Sequence, residues 1–167
     1  TETYVCLRRL ENTVLMELQR GGQSEISFEE VEGESPVKVT LANFHGIEVN
    51  DFACCVARTA LWIAEKQADI NTAKVVKRVY DELPLREYGT IIHGNSLRVD
   101  WADAVPAADL DYIIGNPPFI GYSNLSDDQK KDRADIFGKS GGVLDYVACW
   151  YKKAADFTRG SHIRCAF

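Results

Sequence analysis

Asn116-Pro117-Pro118-Phe119 puts an amide, two ring-locked backbone units and a flat aromatic in four consecutive positions. On spelling alone, Asn-Pro-Pro is a stiff turn. Its context points further, because the run follows "DYIIG", residues 111–115, an apolar stretch of strand character. Open α/β sheets hold their ligands at the C-terminal ends of their strands. The residue types there suit one chemistry. An amino group on an aromatic ring is a weak nucleophile, since its lone pair is delocalised into the ring. Two acceptors aimed at its two hydrogens favour a tetrahedral nitrogen with a localised lone pair. The side-chain oxygen of Asn116 is one acceptor and the carbonyl of Pro117 is a second, on a backbone whose prolines hold φ near −65°. Phe119 offers a face on which a base can stack. Such a site works by positioned hydrogen bonds and needs no metal. A base inside a duplex must first be turned out of the stack to reach it.

The elements that carry this turn read as an α/β chain. Leu7, Leu10, Val14, Leu15 and Leu18 recur at helical spacing over residues 3–20, with Arg8, Arg9 and Glu11 assigned to the wet side. Residues 23–40 are acidic and rich in turn formers, an irregular insertion or small hairpin containing "EISFEEV" and "VKVT". "NFHGIEVN", 43–50, is a short strand. A helix capped by Asn50 or Asp51 follows to about residue 67, with Phe52, Cys55, Val56, Thr59, Ala60 and Ile63 as its inward face. Residues 73–82 are a further helical stretch, ended by Pro84. "TIIHGNSL", 90–97, is a strand closing in a turn at Gly94-Asn95, and residues 120–140 are a mobile loop with a short helix. "GGVLDYVACWYKKAADF", 141–157, is an amphipathic helix through Leu144, Val147, Ala148, Tyr151 and Ala155, and "HIRCAF" begins another strand. Trp62, Trp101 and Trp150 read as packing residues. Apolar strands alternating with helices imply a mostly parallel sheet covered on both faces.

The 167 residues are the size of one domain and carry a net charge of −6. That is no electrostatic footprint for nucleic acid, so any such contact needs a local basic surface or another domain. The five cysteines are odd in number and show no CxxC spacing, which reads as reduced thiols. His45, His93 and His162 are isolated, so no metal site is expected. No apolar run approaches the roughly 18 residues that span a bilayer. The chain begins at Thr1 and ends in an apolar strand, and both ends look cut.

"IIGNPPF" resembles the catalytic motif of S-adenosylmethionine-dependent amino-methyltransferases, above all the N6-adenine DNA methyltransferases. "FHGIEVNDFACCVARTALW", "IIHGNSLRVDW", "LDYIIGNPPFIGYS" and "GVLDYVACWYKKAADF" occur in the order seen in bacterial restriction–modification methylases of the type IIG kind. The resemblance covers residues 1–20 and 40–167. It implies a partial Rossmann-like class I methyltransferase domain over 1–167, with S-adenosylmethionine as cofactor and a cytoplasmic bacterial or archaeal setting.

Carried over by position, the resemblance assigns Glu48 to the ribose hydroxyls of the cofactor and Val49 to packing on its adenine. Asn95, followed by Ser96, takes the place of an acid that would accept from the adenine amine. Asn95 departs from that acid, though an amide oxygen still accepts; a plain turn residue is the competing reading. Asn116 and Pro117 would hold the target amine, Phe119 would stack on the base, and Pro118 would shape the turn. The family's first strand ends in a Gly-rich loop spelled like "PACGSGNF", which this sequence lacks. The central first strand is therefore expected to be missing, and with it the pairing of its neighbours. A DNA-reading domain would be the partner surface, and a homodimer through exposed strand edges is one way to complete the sheet. By itself the fragment is expected to bind cofactor weakly and methylate little. The alternatives are methylation of RNA or of protein glutamine, and a non-catalytic methylase-like scaffold.

Overall fold

The computed structural model describes residues 1–20, 36–76 and 91–167. In chain order the described elements are α1 (Glu2–Arg20), β1 (Gly46–Glu48), α2 (Asp51–Val76), β2 (Ile91–His93), β3 (Tyr112–Ile114), α3 (Asp127–Phe137), α4 (Ala148–Phe157) and β4 (Arg164–Ala166), with short 3-10 turns between them. The fold is mixed α/β. β1 and β2 form one two-stranded sheet, and β3 and β4 form another. β3 and β4 run parallel, with Tyr112 opposite Arg164 and Ile114 opposite Ala166. The chain divides into two compact units: Thr1–Gly46 with Asn50–Ile92, and Ile47–Val49 with His93–Phe167.

In the first unit α1 packs on α2, but not by the face that periodicity indicates. Leu7, Leu10, Val14 and Leu18 are exposed, while Tyr4, Arg8, Asn12 and Leu15 are buried. Arg8, placed on the wet side by sequence, is 2% exposed. Its guanidinium donates to Tyr4 Oη at 2.9 Å, Thr72 Oγ1 at 2.8 Å and Asp69 Oδ1 at 3.1 Å. Thr72 in turn donates to Asn12 Oδ1 at 2.8 Å. Burial pushes the Tyr4 hydroxyl up to about 12, against the pull of Arg8. Tyr4, Leu41, Ala64 and Ala68 form the apolar cluster beside this network, with Phe44 edge-on to Tyr4.

The same shift of face occurs in α2. Cys54, Ala64, Ala68 and Thr72 are buried, and the expected inward residues Phe52, Val56 and Ile63 are exposed, as is Trp62. Both helices carry apolar residues on two sides. Spacing alone does not choose between them, and the charged Arg8–Asp69 partnership fixes which side closes. The helix also continues past residue 67 to Val76. Residues 37–40 form no strand, because the backbone N–H groups of Lys38 and Val39 donate to Glu11 Oε1, at 2.6 and 3.1 Å. "EISFEEV" and Pro84 lie outside the described residues.

Because Arg8 donates to Tyr4, Thr72 and Asp69, Arg8→Met is expected to lower stability by about 2 kcal/mol. It would leave Thr72 and Asp69 short of a donor in a largely buried place. The check is a urea titration, in which the midpoint falls at unchanged slope. An unmoved midpoint contradicts the role.

In the second unit the short helix expected within residues 120–140 is α3, 11 residues long. Ser126 and Gln129 cap it reciprocally: Ser126 Oγ accepts from the Gln129 N–H, and Gln129 Oε1 accepts from the Ser126 N–H. Asp127 and Asp128 in the first turn suit the helix dipole. Gly138 follows with φ +57°, a conformation that favours glycine. The helix expected from 141 begins only at Ala148. Residues ahead of it are used otherwise: the Asp145 carboxylate accepts from the Tyr122 N–H at 3.1 Å, and the Tyr146 N–H donates to Ile120 O at 3.0 Å. Leu97, Leu125, Tyr146 and Cys149 form the core here, with Trp150 edge-on to Tyr146. Leu144, Tyr151 and Ala155, expected inside, are exposed. Tyr112 and Ile114 of β3 are also exposed, so the two-stranded sheet is not covered on both faces as its apolar spelling implied.

Candidate active site

β3 delivers the Asn-Pro-Pro-Phe turn. The Gly115 N–H donates to Ala166 O at 3.0 Å, which extends the β3–β4 pairing to the residue before Asn116. The Phe167 ring lies so near Gly115 that a Cβ there would sit 3.1 Å from it. The same ring packs edge-on against Tyr151 of α4, with centroids 5.3 Å apart. Glycine at 115 thus lets an aromatic support the strand directly beneath the turn. At the other end, the Arg164 N–H donates to Asp111 O, and His162 Nε2 lies 3.1 Å from Asp111 Oδ1, so Asp111 anchors the start of β3.

Within the turn, Pro117 is buried while Asn116, Pro118 and Phe119 are exposed. Phe119 is 74% exposed, with its face open for stacking. Buried Pro117 roots the segment, and the residue before a proline is held in extended conformation. The chain beyond is tied down through Ile120 and Tyr122 to residues 145–146, as above. Arg133 of α3 lies over the Tyr122 ring at 4.5 Å and donates to Gly142 O at 2.9 Å. Asn116 and Phe119 are thus both exposed on a segment rooted by Pro117 at the end of β3.

Glu48 and Val49 stand at the end of β1. The Gly94 N–H donates to Glu48 O at 2.8 Å, and His93 Nε2 lies 3.1 Å from Val49 O. These bonds bring the β1 end beside the turn that contains Asn95. Glu48 is half-buried, and Val49 is 67% exposed, an apolar surface for a flat ring. An acceptor carboxylate, an exposed apolar side chain and an amide at adjoining strand ends fit a nucleoside with ribose hydroxyls and an amino-bearing base.

Asn95 and Ser96 are engaged within the protein. Asn95 Oδ1 accepts from the Leu97 N–H at 2.9 Å, and its Nδ2 donates to Asp132 Oδ2 at 2.9 Å. Ser96 Oγ accepts from Trp150 Nε1 at 2.9 Å, and Ser96 O from Trp101 Nε1 at 2.8 Å. Both residues shape the turn; Asn95 Oδ1 retains a second lone pair for a ligand.

Sequence spacing gave no hint of the groups that hold this turn. Asp132 of α3, 3% exposed, also accepts from Arg98 Nε at 2.6 Å and Tyr146 Oη at 2.7 Å. Burial opposes its ionisation, but hydrogen bonds from Arg98, Tyr146 and Asn95 outweigh it and hold the carboxyl below its usual range. Burial and the bond to Asp132 push the Tyr146 hydroxyl up. Lys153 of α4 donates to the carbonyls of Ser96, Leu97 and Val99 at 2.8, 2.9 and 2.6 Å, and burial lowers its pKa. The Ser126-to-Gln129 capping signal marks α3, but the partners of its Asp132 lie 14 to 37 residues away in sequence. Among the described residues no cluster of His, Cys, Asp and Glu forms a metal site, and no helix is long and apolar enough to cross a membrane.

Comparison with known proteins gives the family. The DNA-methyltransferase domain family of MmeI covers residues 1–167. A Bacillus subtilis (strain 168) protein named DNA methyltransferase A is 36% identical over 172 residues, spanning 99% of this chain and 18% of the relative. A solved structure of the type IIL restriction–modification enzyme MmeI in complex with DNA superposes with a TM-score of 0.82 at 36% identity, covering 98% of this chain and 22% of that one. The chain thus spans about a fifth of the length of the proteins it matches. The family model spans the whole chain, and these 167 residues belong to the MmeI DNA-methyltransferase domain family.

Proposed function

We propose that this chain is the catalytic part of a DNA methyltransferase that transfers a methyl group from S-adenosylmethionine to the N6 amine of an adenine turned out of its duplex, within a restriction–modification system of the bacterial or archaeal cytoplasm. One observation carries the reading: Asn116 and Phe119 stand exposed at the end of β3 on a buried Pro117. When bound, the cofactor supplies a methyl group activated by its sulfonium centre. Asn116 Oδ1 and the Pro117 carbonyl accept the two N6 hydrogens, which localises the lone pair for attack. Pro118 shapes the turn so that the acceptors stay fixed, and Phe119 holds the ring by stacking. Glu48 accepts from the ribose hydroxyls, Val49 packs on the cofactor's adenine, Asn95 accepts from its amine, and Ser96 holds the turn beside it. DNA would be recognised by a separate reading domain, which is compatible with a net charge of −6 here.

The test supplies the full-length protein with methyl-labelled S-adenosylmethionine and DNA, RNA and protein acceptors. Label is expected in DNA, as N6-methyladenine. Label in RNA or in glutamine side chains would redirect the assignment, and bound cofactor with no transfer to any acceptor would favour a scaffold. In the same assay Phe119→Ala is expected to lower kcat/KM on DNA about 10- to 100-fold, the worth of one base–aromatic stack. Phe119→Tyr should stay close to wild type. Equal losses in both variants would contradict a stacking role.

A further inference from the structure

The Asn95–Asp132 bond has a direction. An ionised carboxylate only accepts hydrogen bonds, so Asn95 must turn its NH2 toward Asp132. Its oxygen is thereby turned to the Leu97 N–H, with one lone pair left over. Three donors, from Asn95, Arg98 and Tyr146, converge on Asp132, and the position is 3% exposed. The carboxylate is built into the turn rather than drifting on the surface. Asn95 cannot rotate its amide without setting an oxygen against that carboxylate.

We propose that Asp132 is a positioning residue that fixes Asn95 as an acceptor, so that the turn after β2 selects a cofactor base carrying an exocyclic amine over one carrying a keto oxygen. The inference rests on the cofactor role of Asn95 given above and deepens it. It also accounts for an amide rather than an acid at position 95. An aspartate there would bring two carboxylates to about 3 Å, and one would have to take up a proton.

The test measures the affinity of the full-length protein for S-adenosylmethionine and for its deaminated, 6-keto analogue by calorimetry. Wild type is expected to prefer the amino form by about 30-fold, the penalty of facing two acceptors in a largely buried place. Asp132→Asn removes the acceptor-only partner and leaves the Leu97 N–H alone to hold the sense of Asn95, so the preference should fall below about fivefold. The reversed pair, Asn95→Asp with Asp132→Asn, makes position 95 acceptor-only again and should restore it. A role confined to stability would move both affinities together and leave the ratio alone. Wild-type preference in folded Asp132→Asn, or no restoration in the reversed pair, overturns the proposal. Should Asp132→Asn fail to fold, Asn95→Asp alone decides. It is expected to bind the amino form more than tenfold weaker at pH 8 and to recover toward pH 6 as the pair shares a proton; wild-type affinity at pH 8 overturns the proposal. A wild-type protein that binds no S-adenosylmethionine would sink the methyltransferase reading, whereas binding without amino–keto preference would sink only this one.

Discussion

Asn116→Ala in the full-length protein should lower the methyl-transfer rate about a thousandfold, ~4 kcal/mol of barrier, while cofactor affinity stays within about threefold of wild type. The separation follows from where the residue stands. Asn116 is exposed at the end of β3, so truncation leaves the fold intact. Pro117, buried beneath it, keeps the second acceptor in place. What is lost is an interaction that strengthens as the amine becomes tetrahedral, and such losses appear in kcat rather than in KM. Asn116→Asp keeps an acceptor and should retain more activity than the alanine variant. Single-turnover kinetics with labelled cofactor read both. An alanine variant within tenfold of wild type would remove the acceptor pair from the account.

Glu48→Ala should do the reverse. The dissociation constant for S-adenosylmethionine is expected to rise about 30- to 100-fold, ~2 to 3 kcal/mol, the worth of hydrogen bonds to a charged acceptor. Transfer at saturating cofactor should change only a few-fold, because the ribose lies away from the moving methyl. The Gly94 N–H holds the backbone of Glu48 through its carbonyl, so the strand end survives loss of the side chain. Glu48→Gln keeps one acceptor and should fall between the two. Calorimetry on the full-length protein checks the series, and unchanged affinity in the alanine variant would take Glu48 out of the cofactor site.

Local spelling made most of the elements legible, and partner choice was not local. The strand–turn reading of "DYIIGNPPF" held because proline geometry and apolar strand character reside within a few residues. The helix over residues 2–20 was visible, yet its buried face was not. Leu7, Leu10, Val14 and Leu18 outline a better apolar stripe than Tyr4, Arg8, Asn12 and Leu15 do. The closing face is instead chosen by Asp69 and Thr72, some 60 residues away. A short helix was legible within 120–140, but its bounds and burial were not, since its stability comes from the Ser126–Gln129 cap and from Asp132 buried against Arg98 and Tyr146. The start of α4 was set seven residues early because residues 141–147 have helical spacing, while Asp145 and Tyr146 are committed to holding Tyr122 and Ile120. A buried polar group takes its place from its partners, and those are invisible to periodicity.

The claim on which the account depends is that two acceptors at the end of β3 converge on one aromatic amine. A structure of the full-length protein with DNA and a non-reactive cofactor analogue measures this directly. The account predicts an adenine outside the duplex, with its N6 about 2.7–3.2 Å from both Asn116 Oδ1 and the Pro117 carbonyl oxygen and its ring stacked on Phe119. A target base whose N6 lies beyond hydrogen-bond reach of Asn116, or one held in a different cleft, would contradict it.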